Sequence, residues 1–405
     1  RRRPPTRRRA DEFLVRAVDV VAPAAARRAA RAGAEPRRVG ELRSERVTAA
    51  PPALHLIVPG PLDQRTGGYL YDARIVSELA ALDTLVQVHS IPGRFPDADD
   101  LARSGLDRAL AAIADGSSVV IDGLASGGLP DVVASHADRL AIVALVHHPL
   151  ADETGQTSAQ TEYFFASERD ALRHVRGAIV TSPFTARRLA DFDVPEGRIH
   201  VVEPGTDPAS VAVGPPDGDA PRLVCVASLS PRKGHDLLVE ALARLRALEW
   251  SCVCAGSTTR DEDFAGEVLA EVERLGLRDR IHFPGELETD DIEEVYRTAS
   301  LFVLPSHYEG YGMAYAEALA RGIPVVGTTG GAIPDTVPSY AAILIPPGDV
   351  DALTEALESL LVAPDRCETL AEGARMHAES LPGWATQAER FRVAVDVLTA
   401  RGPRV

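Results

Sequence analysis

Asparagine is absent from the chain, and lysine occurs once, as Lys233. Without asparagine there is no N-glycosylation acceptor. Both residue types have AT-rich codons, so the two scarcities fit a GC-rich coding bias. Under such a bias arginine is the default cation, and a single lysine among 43 basic residues stands out. Cysteine is scarce too: Cys225, Cys252, Cys254 and Cys367 are the whole set. None forms the two-residue-spaced pair of zinc sites. Three of the four sit in apolar runs of strand type, where cysteine packs as a small hydrophobe, which points to a reducing compartment. No apolar run approaches the roughly 20 residues of a membrane-spanning helix. The start of the chain lacks the apolar core of a secretory signal. The expected location is therefore cytoplasmic.

What is present is an ordinary globular composition, 45% hydrophobic and 25% charged over 405 residues. That length suggests two to three domains and supports full cores without disulfide or metal staples. The net charge of −16 is unevenly placed. Residues 1–50 hold 14 Arg against 6 acidic residues, a balance of +8, which leaves −24 for the rest. An acidic body is a poor phosphate-backbone binder, so nucleic acid is excluded as the main partner. The opening Arg-Arg-Arg-Pro-Pro-Thr-Arg-Arg-Arg repels itself, and the Ala- and Arg-rich residues 12–33 suit a loose helix interrupted at Pro23. Residues 1–50 read as a basic, disordered extension. A basic helix can also lie on anionic lipid, which leaves peripheral membrane contact open.

From residue 54 short β-rich runs alternate with helical stretches: Leu54–Val58, Leu85–Val88, Ser118–Ile121, Ala141–Val146, Ala178–Thr181 and Ile199–Val202. A second series comprises Leu223–Ala227, Ser251–Ala255, Arg280–Phe283, Leu301–Leu304, Pro324–Val326 and Ala342–Ile345, with helices such as Asp236–Leu248 and Met313–Arg321 between. Alternation of this kind indicates βαβ units and parallel sheets. The expected fold is α/β, with two Rossmann-like doubly wound domains facing a central cleft. Their bounds are 51–207 and 222–383, joined by a Pro-, Gly- and Asp-rich linker at 208–221. A final helix from Trp384 to about Leu398 falls in a closing segment, 384–405. Ligands of such sheets bind beyond the carboxyl ends of the strands, and the cleft between two such domains is the default site.

The most informative stretch is His307-Tyr308-Glu309-Gly310-Tyr311-Gly312-Met313, continuing through Glu317-Ala318 to Gly322-Ile323-Pro324-Val325. Gly310 and Gly312 remove side chains where a ligand could approach the backbone. The helix start near Gly312 offers unpaired N–H groups and a positive dipole end to phosphate oxygens. Glu309 lies in the loop, and Glu317 about one turn into the helix. This string resembles the donor-site signature of retaining glycosyltransferases of family 4, which have the GT-B fold. There a Glu is followed eight positions on by a second Glu, in a Glu-Gly-Phe-Gly context; Tyr311 stands where Phe is usual.

The resemblance extends over about residues 54–400. Ser228-Leu229-Ser230-Pro231-Arg232-Lys233-Gly234 follows the first strand of the second domain. In the family this loop reads Gly-Arg-Leu, three residues, Lys-Gly, and its Arg and Lys hold the donor diphosphate. Lys233 matches, Ser228 stands in place of the arginine, and Arg232 is the candidate second charge. Thr66-Gly67-Gly68-Tyr69 resembles the glycine loop that meets the diphosphate or acceptor. His147 matches a histidine placed near the transferred sugar, while His148 replaces an Asp, and Glu153 and Thr154 lie nearby. The Val180–Ala186 and Glu203–Asp207 turns, the latter with Pro204 in place of an Asn, resemble cleft-shaping landmarks. Thr329–Asp335 resembles the family's Gly-Gly-x-x-Glu turn with Asp335 for Glu, and the last helix resembles one that crosses back to the first domain.

The resemblance implies a metal-independent retaining transferase that moves a sugar from a nucleotide-diphosphate sugar to an unidentified acceptor. No cofactor is implied beyond the donor substrate. His147, Glu309 and Lys233 would be the catalytic residues. Gly67, Gly68, Arg232, Gly310, Tyr311, Gly312, Met313 and Glu317 would bind the donor. A nucleotide-sugar 2-epimerase of the same build and a non-catalytic sugar-nucleotide sensor are the alternatives. Asp-x-Asp occurs at Asp97–Asp99 and Asp261–Asp263, but each precedes a helix, where Asp serves as a cap. No Gly-x-x-x-x-Gly-Lys-Ser/Thr or Gly-x-Gly-x-x-Gly loop is in place.

Overall fold

A computed structural model describes residues 19–21 and 54–400. The first sheet contains β1 (Asp19–Val21), β2 (Leu54–Pro59), β3 (Val86–Ile91), β4 (Ser118–Asp122), β5 (Ala141–Val146), β6 (Ala178–Val180) and β7 (Ile199–Val201). Its order is β1-β3-β2-β4-β5-β6-β7. All pairs are parallel except β1 on β3. The helix expected over 12–33 lies outside the described residues apart from 19–21, and these three form an edge strand instead. The second sheet contains β8 (Arg222–Val226), β9 (Ser251–Ala255), β10 (Ile281–Gly285), β11 (Leu301–Val303), β12 (Val325–Thr328) and β13 (Ala342–Ile345), in the all-parallel order β10-β9-β8-β11-β12-β13. Two doubly wound α/β units are therefore present.

The inner strands form where β-branched and aliphatic runs are buried on both faces. Ile57, Val119, Val120, Ile121 and Val143 are sealed in the first unit, and Val224, Phe302, Val303 and Val325 in the second. Both Asp-x-Asp segments cap helices. Asp99 accepts from the Ala102 N–H before Asp100–Ala112, and Asp261 accepts from the Phe264 N–H before Glu262–Arg274. The helix expected over Asp236–Leu248 is shorter, His235–Arg244. Its end is fixed by Trp250, whose buried indole N–H donates to the Leu245 carbonyl and turns the chain into β9.

Residues 207–221 hold no helix or strand, and lie along the second unit through Ala212 N–H to the Arg321 carbonyl and Val213 N–H to the Arg297 carbonyl. The last helix, Trp384–Ala400, packs on the first sheet. Trp384, Phe391, Val395 and Leu398 share one core with Tyr71, Ile75, Val120 and Val143.

Candidate active site

Each sheet reverses its winding at one point, and ligands of open α/β sheets bind there, beyond the carboxyl strand ends. In the second unit the reversal lies between neighbouring β8 and β11, which are far apart in sequence. The loop after β8 carries Lys233 and the loop after β11 carries Glu309, so the topology alone brings them together. Backbone bonds lock the two loops: the His307 N–H donates to the Arg232 carbonyl. Gly234, at φ +68°, lies so close to the Pro305 carbonyl that any side chain would collide with it.

Glu309 is the centre of this junction. Lys233 Nζ stands 2.6 Å from Glu309 Oε1, and the Ser306 hydroxyl donates to the same oxygen at 2.6 Å. Arg232 Nη1 is 3.3 Å from Oε2. Burial alone would push this carboxyl up, but the two cations and the hydrogen bonds outweigh it and hold it at about 2. Burial draws the Lys233 ammonium below its ordinary value, against the pull of Glu309. The Glu309 backbone is held as well, by the Ala332 N–H on its carbonyl and a bridge to Gly331. Gly312, at φ +94°, starts the Met313–Ala320 helix. Deeper on that helix Glu317 accepts from the Tyr296 hydroxyl at 2.9 Å, and burial pushes its carboxyl up.

The first unit presents the opposite wall. Gly67 and Gly68 open the Gly67–Ala81 helix, whose first-turn N–H groups have no intrahelical partner. His147 follows β5, with its carbonyl accepting from Thr181. Its Nε2 is 3.2 Å from Asp72 Oδ1 and 3.7 Å from Asp122 Oδ2. Burial disfavours the imidazolium, but the two carboxylates reverse this and raise its pKa. The units meet where Gly310 passes His147: a side chain at Gly310 would run into the His147 carbonyl. Arg232 also reaches across to Glu153 at 3.3 Å, and Tyr308 to Asp152 at 3.4 Å. Burial would raise the Glu153 carboxyl, but His148 and Arg232 hold it at about 2.

Between the walls lies a cavity of about 660 Å³. His147, Lys233, Glu309, Gly67, Gly68, Arg232, Gly310, Tyr311, Gly312, Met313 and Glu317 all line it. Ser228, Tyr69, His148 and Glu153 do so too, whereas Thr154 does not. Asp335, at the end of the Thr329–Asp335 turn, pairs across the units with Arg187 at 2.9 Å. Four residues were not visible as candidates in the sequence. Ser306 lies one position before the informative string. Asp122 ends a strand, a position that could have marked it. Asp72 sits inside a helix and Arg260, which also lines the cavity, in a polar loop, and neither carries a local signal.

Two family profiles divide the chain. "Glycosyltransferase Family 4" matches residues 12–210 and "Glycosyl transferases group 1" matches residues 208–377. The chain belongs to glycosyltransferase family 4. The match begins at residue 12, so it reaches upstream of residue 54 into the basic segment. Curated relatives of this family 4 chain include an MMP alpha-(1->4)-mannosyltransferase of Mycolicibacterium hassiacum, 28% identical over 64% of this chain and 66% of the relative. A GDP-mannose-dependent alpha-(1-6)-phosphatidylinositol monomannoside mannosyltransferase of Mycolicibacterium smegmatis is 29% identical over 55% of this chain and 64% of the relative. The chain thus spans less than two thirds of these relatives' lengths. Among solved structures, sucrose-phosphate synthase from Thermosynechococcus elongatus superposes with a TM-score of 0.73 at 20% identity, covering 86% of this chain and all of that one. Anabaena HepE in complex with UDP and glucose gives 0.70 at 17% identity, covering 85% of this chain and all of that one. These likenesses carry the GT-B fold.

Proposed function

We propose that this family 4 member transfers a hexose, with retention, from a nucleoside-diphosphate sugar to a hydroxyl-bearing acceptor, and that GDP-mannose is the donor. The observation that carries the reading is Glu309 pinned by Lys233 and Arg232 at the switch point, facing Gly67, Gly68 and His147 across the cavity. The donor follows the GDP-mannose dependence named for the Mycolicibacterium smegmatis relative.

In this reading Glu317 accepts from the ribose hydroxyls. Lys233, Arg232 and the Gly310–Met313 N–H groups receive the negative charge of the departing diphosphate. Donors fixed where charge develops lower the barrier without reorganising, and positive side chains there supply what a metal would otherwise supply at the diphosphate. Glu309 orients sugar hydroxyls, and His147 marks where the sugar meets the acceptor. The departing phosphate takes the acceptor proton, so retention requires no separate base.

Among the described residues no helix is long and apolar enough to cross a membrane. The phosphatidylinositol-linked acceptor named for the Mycolicibacterium smegmatis relative fits peripheral contact with a lipid surface.

The test is thermal stabilisation of the full chain by GDP-mannose, UDP-glucose and ADP-glucose, since a ligand that binds only the fold raises its melting point. GDP-mannose should give the largest shift. With an acceptor mixture present, the anomeric configuration of the product should match the donor's. Release of a 2-epimerised sugar from the donor alone would replace transfer with isomerisation.

A further inference from the structure

We propose that Asp72, Asp122 and His147 form a divalent-cation site in the first-domain wall of the cleft. Three separate elements converge on it. Asp72 projects from the Gly67–Ala81 helix, Asp122 closes β4, and His147 follows β5, the strand beside β4. One ligand atom from each lies within 4.8 Å of the other two. His147 Nε2 is 3.2 Å from Asp72 Oδ1 and 3.7 Å from Asp122 Oδ2. Ligands held about 2.0–2.2 Å from a common ion take up spacings of this size.

The second observation is the state of Asp72. It is 1% exposed, and neither of its oxygens has a hydrogen-bond partner, nor does His147 Nε2. A buried carboxylate without partners is costly. The ion pairs of Asp72 and Asp122 run only to His147 among the described residues. Even a protonated imidazole leaves two carboxylates under-compensated. A divalent cation with a neutral imidazole balances both charges and gives a partner to one Asp72 oxygen and to His147 Nε2.

The surroundings fit a ligand set. The second oxygen of Asp122 accepts from the Leu124 N–H at 2.6 Å, which aims Oδ2 at the site. Outer bonds of this kind orient metal-binding carboxylates. Tyr71 packs edge-on against the His147 ring. Two carboxylate oxygens and one imidazole nitrogen suit Zn²⁺ or Mn²⁺. Three protein ligands leave a coordination position for a hydroxyl, and Asp122 and His147 both line the cleft. Gly68 leaves the ring uncovered there, since a side chain on it would press on His147 Cδ2.

The test needs no sugar donor, so it stands or falls apart from the transferase reading. The full chain, free of any polyhistidine tag and stripped with chelator, is titrated with MnCl₂ followed by electron paramagnetic resonance, and with ZnCl₂ by calorimetry. One equivalent should bind, and the cation should raise the melting temperature. Asp72→Asn, which keeps the side-chain shape, and Asp122→Asn should each weaken binding by at least about 10-fold and remove the thermal gain. Absence of binding at millimolar cation overturns the site. So does binding that Asp72→Asn leaves unchanged, which marks an ion held elsewhere. Asp72→Asn that stabilises the chain equally with and without cation assigns the three groups to proton sharing and overturns it too.

Discussion

Lys233 is the residue on which the donor reading is most exposed. It is the single lysine of the chain, buried, and 2.6 Å from Glu309. Lys233→Ala leaves Glu309 with Arg232 and the Ser306 hydroxyl, so the chain should still fold. Truncating one member of a buried charge pair against a bound ligand costs about 2–5 kcal/mol. Each ~1.4 kcal/mol is a factor of ten in rate, so kcat/KM for donor should fall by at least about 30-fold. Steady-state kinetics on the folded variant decide the point, and normal turnover would remove Lys233 from the diphosphate. Glu168 offers a separate, structural test. It is 2% exposed; one oxygen accepts from the Leu150 N–H and the other has no partner. Burial, with help from Asp152, pushes its carboxyl up from 4.5 to about 8. The fold therefore keeps a proton that the unfolded chain releases at the lower value. The stabilisation is complete below about 4.5, declines as pH rises, and is gone above about 8. Glu168→Gln keeps the acceptor for Leu150 and cannot ionise. Its melting temperature should exceed that of the parent above about pH 8 and converge with it on acidification. A constant difference at all pH would show that burial is not the cause.

At the scale of elements, the loops matter through how closely they approach. Gly310 slides past the His147 carbonyl with no room for a methyl group. Gly310→Ala should force the two units apart while leaving each sheet intact. The expected signs are a higher donor KM and a larger radius of gyration by solution scattering; an unchanged radius with an unchanged KM would show that the loop yields instead.

The strands were legible because buried parallel strands are written as short β-branched runs between Gly, Pro and Asp, as in Ala141–Val146. The glutamates and glycines of 307–317 were legible because they lie consecutively in one loop and helix start. Asp72 was not, because a carboxylate inside a helix reads as part of a solvated face. Only the fold of the first unit turns it toward His147. Asp122 caps the short helix that starts at Gly123 by accepting from Leu124, and its other oxygen lies 3.7 Å from His147 Nε2, a neighbour that only the chain after β5 supplies. The shortened His235–Arg244 helix depends on a contact with Trp250 that has no periodic signature.

At the scale of the whole molecule the order of the chain and the order of the cores differ. The Trp384–Ala400 helix follows the second unit in sequence but completes the core of the first. Phe391, 1% exposed, sits among residues of the first sheet and the Gly67–Ala81 helix. Gly205 lies so close to the Trp384 backbone that a side chain there would not fit, and Gln387 donates to the Glu203 carbonyl. Phe391→Ala should cost about 3–5 kcal/mol, the usual range for emptying a buried aromatic site. The loss should be local to the first unit, because the second has its own continuous core around Leu223, Phe302, Tyr315 and Val325. Hydrogen exchange read by mass spectrometry can separate the two. In the Phe391→Ala variant β4, β5 and β6 should exchange faster while β8, β11 and β12 keep their protection. Because Gly67, Gly68 and His147 belong to the loosened unit and Lys233 and Glu309 to the other, nucleotide binding should survive better than transfer. Equal loss of protection in both sheets would mean that the interdomain contacts at Gly310, Tyr308 and Arg232 couple the two cores into one cooperative unit.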